Sequence, residues 1–228
     1  EFIGGRYSVL SEVGMLPAAL MGLKFKEFKN LDKLLNNKYF TKSLMHNVAY
    51  IHTLLLKGVK NSVLLSYNET LNDLCCWYQQ LTAESLGKKG KGITPMVCYG
   101  PKDHHSLLQL FLDGPKDKFF TFFNCEEKST KYKVSQKNLS TETRFLKNKS
   151  LETIVKAQAD SVQKIFRLKN LPFRKIIFKN IDEEEIGSCF IFLAIETILL
   201  SRLMKINPFN QPAVESIKAE TKRIILKQ

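Results

Sequence analysis

The chain predicts an α/β fold, a doubly wound and mostly parallel sheet flanked by helices, with further helical segments at both ends. Three observations carry that expectation. Short apolar runs recur at Val63–Leu65, Thr94–Tyr99, Phe119–Phe123 and Arg174–Phe178, each of strand length. Longer stretches between them place apolar residues at helical spacing. Strands that alternate with helices need crossover connections, which make the strands parallel and set helices on the sheet's faces.

Gly4-Gly5 predicts a tight bend, followed by a mostly apolar helix from Val9 to Gly22 with a kink or restart at Pro17. Phe25–Leu35 and Leu44–Leu56 have helical patterns with lysines on the outer side. Gly58 breaks the pattern before the first strand. In the next helix Leu71, Leu74, Cys75 and Tyr78 form one apolar stripe, while Gln80 and Glu84, four residues apart, share a different face. Gly87 is the expected stop, in the left-handed conformation. The Gly-Lys-Lys-Gly-Lys-Gly run from Gly87 to Gly92 lacks the Ser/Thr and spacing of a nucleotide-binding loop, so a flexible basic surface turn is expected.

Past the second strand, Gly100–His105 is expected to be a loop and Ser106–Leu112 a short helix. Glu126–Lys149 is polar and lysine-rich and has the character of an exposed connection. Leu151–Leu168 is a helix, and Asp182–Lys205 a buried one: Glu196 and Arg202 interrupt its apolar run and argue against a membrane span. Gln211–Leu226 closes the chain as an amphipathic helix with Pro212 in its first turn. The expected division is a helical segment (1–42), an α/β domain (43–210) and a C-terminal helix (211–228).

A chain of 228 residues can bury one substantial core. Its net charge of +13 comes mostly from lysines scattered through nearly every segment, which suits a solvated surface better than a nucleic-acid footprint. Five cysteines, odd in number and without Cys-x-x-Cys spacing, fit reduced thiols of a cytoplasmic protein and no metal site. His46 and His52, six apart, match no metal motif.

Four motifs remain: Gly4-Gly5-Arg6-Tyr7-Ser8, then Gln80 with Glu84-Ser85-Leu86-Gly87-Lys88, then Asp103-His104-His105-Ser106, then Gln211 through Val214-Glu215 to Lys218. Taken singly, each has an ordinary explanation. Glu84 would be solvated, His105 a helix cap, and Glu215 with Lys218 a surface pair. Together and in this order they resemble the glucose-6-phosphate isomerase family, over nearly the whole chain.

The resemblance implies a sugar-isomerase (SIS-type) fold and interconversion of an aldose and a ketose phosphate. That reaction moves a proton between adjacent carbons through an enediol, so it needs a base and a cation near the developing oxyanion. By resemblance Glu84 is the base, Arg6 the cation, and Gln80 and Gln211 bind substrate. His105 opens the sugar ring, reaching into the neighbouring site of a homodimer, and Lys218 assists at the ring oxygen. The resemblance also implies no cofactor and no metal. It further implies an upstream SIS domain that holds the phosphate, this chain being the C-terminal portion. Departures from the family pattern are Leu86 for Asn, His104 for Gln and Ala213 for Gly. The alternative is a non-catalytic sugar-phosphate-binding or dimerisation module of the same fold. A binding module needs no base, so the presence of Arg6, Glu84, His105 and Lys218 together favours the enzyme.

Overall fold

The structure, a computed structural model, describes residues 3–126, 132–135, 137 and 139–227. Strands β1 (Asn61–Ser66), β2 (Thr94–Tyr99), β3 (Lys118–Cys125) and β4 (Phe173–Phe178) form one sheet in the order β2-β1-β3-β4, and every neighbouring pair is parallel. Val63 lies between Met96 and Phe120, and this register puts alternate residues on opposite faces. On one face Val63, Leu65, Phe120 and Phe122 pack against α5 (Lys102–Asp113) and α6 (Leu151–Leu168), with Phe166 at the centre. On the other, Leu64, Phe119 and Phe123 meet α3 (Lys38–Leu56), α4 (Asn72–Leu86) and α7 (Glu183–Leu203). Burial on both faces is why the middles of β1 and β3 are apolar runs, broken only by Thr121, in the sequence.

Around this core lie α1 (Glu12–Leu20), α2 (Leu31–Leu35) and α8 (Pro212–Ile225). The apolar stretch before Gly22 divides at Ser11 rather than at Pro17: a 3-10 turn covers Gly5–Leu10, and Ser11 caps α1 by accepting from the Val13 amide. The expected helix from Phe25 shrinks to α2. Turns replace its first half, where Asn30 Nδ2 donates to the Glu27 carbonyl at 2.5 Å and the Phe28 backbone presses against Gly187 of α7. Conversely, α3 starts six residues earlier than its apolar pattern, at the Asn37 cap, because that first stretch is largely exposed and shows no stripe. Of the polar connection expected over Glu126–Lys149, residues 127–131, 136 and 138 lie outside the described residues; the remainder includes a 3-10 turn at Arg144–Leu146.

α7 is long and apolar enough to cross a membrane by length and composition, yet it packs within the domain against α3 and α4. Its Glu196 is fully buried and is held by a polar network. Arg174 of β4 pairs with both carboxylate oxygens, Tyr78 of α4 donates to Oε1 at 2.8 Å, and Arg174 also reaches Thr121 of β3 and Asn47 of α3. Burial, reinforced by the Glu196 charge, raises the Tyr78 pKa, so the phenol keeps its proton to donate. The pair therefore ties α3, α4, α7 and the sheet together.

Candidate active site

Arg6 is the hub. It stands in the 3-10 turn after Gly4-Gly5, is 3% exposed, and spends all five guanidinium N–H groups on defined acceptors. Nε donates to Ser85 Oγ at 3.0 Å, Nη1 to Glu84 Oε2 at 3.0 Å and to Gln211 Oε1 at 2.8 Å. Nη2 donates to the carbonyls of Pro208 and Asn210 at 2.6 and 3.2 Å. The N-terminal turn, the end of α4 and the 208–211 segment are thus fastened to one cation. Trp77 of α4 secures the turn from the other side, its indole donating to the Arg6 carbonyl at 3.0 Å.

Glu84 sits in the last turn of α4 with its side chain 29% exposed. Arg6 holds one oxygen, and Gln80 Nε2, one turn back, donates to the other at 2.9 Å. The helical spacing read from the sequence accounts for this: residues four apart are neighbours on one face, while Leu74, Cys75, Tyr78 and Leu81 face the core. A cleft of about 470 Å³ opens beside Glu84, lined by Lys88, Asn207, Gln211 and Val214 among others. A carboxylate held from two sides at the edge of a cleft is suited to taking and returning a proton.

Gly87 ends α4, but not in the left-handed conformation. Its φ is −75°, and a Cβ there would come within 2.7 Å of the Ala83 carbonyl oxygen. Close approach, not backbone handedness, requires glycine here. The lysine–glycine turn that follows is strapped down rather than loose: Lys88 Nζ donates to the Ser85 and Asn207 carbonyls, and Lys91 Nζ to the Met204 carbonyl at 2.8 Å. Lys91, at the carbonyl end of α7, complements its dipole. Partial burial, with Arg6 nearby, lowers the Lys88 pKa.

Two expected site residues lie elsewhere. α4 runs back against the strand direction, so Glu84 is beside the start of β2, as the Gln79 contact to the Pro95 carbonyl shows. His105 lies past the other end of β2, in the first turn of α5; the segment expected as a loop is already helical from Lys102. Six strand residues separate the two, roughly 20 Å. Lys218 is two turns into α8, about 10 Å along the axis from Gln211, and pairs with Glu215 at 2.8 Å in solvent. No residue of α8 is buried, and its stripe of Val214, Ile217 and Ile224 is uncovered.

Sequence reasoning gave no role to Ser85, Tyr7, Trp77 or the carbonyls of 208–210. Ser85 binds both Arg6 and the Tyr7 hydroxyl, the latter at 2.9 Å. Its place beside Glu84 in the motif was the available signal; the backbone acceptors carry none.

The chain resembles known proteins in sequence and in fold. It is 34% identical over 220 residues to a probable glucose-6-phosphate isomerase of Methanococcus maripaludis, covering 94% of this chain and 49% of that protein. It is 32% identical to the glucose-6-phosphate isomerase of Methanocaldococcus jannaschii, covering 99% and 57%. A hypothetical protein of Thermus thermophilus, of known crystal structure, superposes with a TM-score of 0.86 at 26% identity, covering 97% of this chain and 55% of that one. A glucose-6-phosphate isomerase from Chlamydia trachomatis shares the fold, with a TM-score of 0.74 at 20% identity over 97% and 47%. The chain therefore spans about half the length of the curated relatives it matches. The phosphoglucose isomerase family model matches residues 1–228, and the chain belongs to the phosphoglucose isomerase family.

Proposed function

We propose that this chain is the C-terminal half of a glucose-6-phosphate isomerase and carries its proton-transfer centre. The observation that supports this best is the Glu84 carboxylate, held by Arg6 and Gln80 at the edge of a cleft. Glu84 removes the proton from C2 of the open-chain aldose phosphate. The C–H electron pair becomes the C1–C2 double bond, and the carbonyl electrons move to O1, giving an enediolate. Proton transfer between the oxygens, and delivery from Glu84 to C1 of a proton that exchanges with solvent while the enediolate is bound, complete the ketose. Arg6 has no spare N–H, so it serves through its fixed charge, or by exchanging its Gln211 bond for a substrate oxygen. Gln80 and Gln211 orient the sugar hydroxyls.

Ring opening falls to His105 and Lys218. Because His105 lies at the far end of β2, it serves the site of a second copy in a homodimer. Lys218 reaches the cleft only when α8, uncovered as it stands, packs against the rest of the assembly. The substrate phosphate is bound by an upstream SIS domain of the same polypeptide. The enzyme works in the cytoplasm, consistent with cysteines that form no disulfide among the described residues, and uses no cofactor.

The experiment is an isomerase assay on these 228 residues beside the complete polypeptide. The complete enzyme is expected to interconvert glucose 6-phosphate and fructose 6-phosphate. The chain alone is expected to be slower by at least about a hundredfold, since the remote phosphate contact that positions the reacting carbons is lost. Equal turnover by the two would contradict the proposal.

A further inference from the structure

We infer that His104 is a positioning residue for the ring-opening step: clasped to Tyr67, it anchors the first turn of α5 and leaves His105 as the free imidazole. The inference rests on the proposed role of His105 and explains why two histidines stand side by side.

Tyr67 follows the last residue of β1 and is buried, its ring nearly parallel to Phe122 at 6.1 Å. Its hydroxyl lies 2.6 Å from His104 Nε2, and the two rings meet at a steep angle of 66°. The approach depends on Gly100, because a Cβ there would come within 2.5 Å of the Tyr67 ring. Burial raises the Tyr67 pKa well above the ordinary phenol range, and burial lowers that of His104 against the opposing charge of Asp103. The phenol therefore keeps its proton and faces a neutral imidazole, and in the tautomer protonated on Nδ1 the His104 Nε2 accepts from it.

The neighbours of His104 are tied as well. Asp103 Oδ2 accepts from the Tyr99 amide at 2.7 Å, Asp103 Oδ1 from Ser106 at 3.4 Å, and the His104 amide donates to the Pro101 carbonyl at 3.0 Å. His105, by contrast, projects into solvent without a side-chain hydrogen bond among the described residues. The turn thus divides its labour. Asp103 and His104 fix the backbone to the ends of β1 and β2, and the direction in which His105 leaves the helix follows from that.

The test uses the complete polypeptide and two substrates: closed-ring glucose 6-phosphate, and a four-carbon aldose phosphate that cannot close a ring. His104→Ala and Tyr67→Phe are expected to slow closed-ring turnover about tenfold, with carbon-bound proton exchange on the short substrate unchanged. His104→Gln, which can still accept from Tyr67, should retain most of the closed-ring rate. In a His105→Ala background, His104→Ala should add nothing further. An equal loss on both substrates would make His104 a general structural residue and overturn the inference. So would an added loss in the His105→Ala background, or a normal closed-ring rate for His104→Ala where His105→Ala is slow. If His105→Ala itself is harmless, the ring-opening assignment falls, and this inference with it.

Discussion

Replacing Glu84 with Gln in the complete polypeptide is expected to lower the isomerisation rate by about 10²–10⁴-fold, the usual contribution of a positioned general base. The substitution keeps the side-chain shape. Its carbonyl oxygen can still accept from Arg6, and a flipped Gln80 can accept from the new amide, so Ser85, Gln211 and the 208–210 carbonyls keep their places around the guanidinium. Only the capacity to take a proton is gone. Turnover measured beside circular dichroism separates the two effects: the helical signal should be unchanged while the rate collapses. A rate within tenfold of the parent would remove Glu84 from its role. Glu84→Ala is a poorer probe, because it leaves a nearly fully buried arginine without its carboxylate.

The second large effect is on stability and lies away from the cleft. Glu196→Ala is expected to destabilise the fold by about 3–5 kcal/mol, because it strands Arg174 as an unpaired buried charge and removes the acceptor of Tyr78. For a chain of this size that corresponds to a fall in melting temperature of roughly 6–20 °C. Replacing both partners, with Arg174→Met and Glu196→Leu, should cost much less, since two apolar groups of similar volume need no mutual compensation. Thermal unfolding of the three variants decides this, and a double variant as unstable as Glu196→Ala would contradict the account. The exposed Lys218–Glu215 pair provides the contrast, and breaking it should leave the melting temperature almost unchanged.

What was legible in advance follows the physics of burial. Val63–Leu65 of β1 and Phe119–Phe123 of β3 show as apolar runs, broken only by Thr121, because both faces of the sheet are covered, and the α4 stripe shows because one side of that helix meets the core. The starts of α3 and α5 were hidden. Lys38–Ser43 is largely exposed, and Lys102–His105 begins its helix after a proline with no side-chain cap. Gly87 is legible as a helix stop, but its cause, the nearness of the Ala83 carbonyl, is something no sequence pattern records. Nothing in the sequence shows that the basic turn is strapped down, because the acceptors that hold it are backbone carbonyls at the end of α7 and beyond.

The candidate site divides the same way. Gln80 and Glu84 were legible as a pair because four-residue spacing on a helix is local geometry. Their meeting with Arg6 joins residues 78 positions apart, and spacing alone says nothing of it; the family pattern supplied the grouping. In the sequence Glu196 stands only as an interruption of an apolar helix. Its partner Arg174 could not be assigned, since a lone arginine in a strand pattern does not announce which carboxylate it will meet.

The most direct test of the central claim, that Glu84 moves the proton between adjacent carbons, follows hydrogen itself. Glucose 6-phosphate incubated with the complete polypeptide in deuterium oxide should yield fructose 6-phosphate carrying deuterium at C1, and recovered aldose carrying it at C2. Both labels should vanish in Glu84→Gln. Product formed with no deuterium at either carbon, or labelling that persists in Glu84→Gln, would contradict the account.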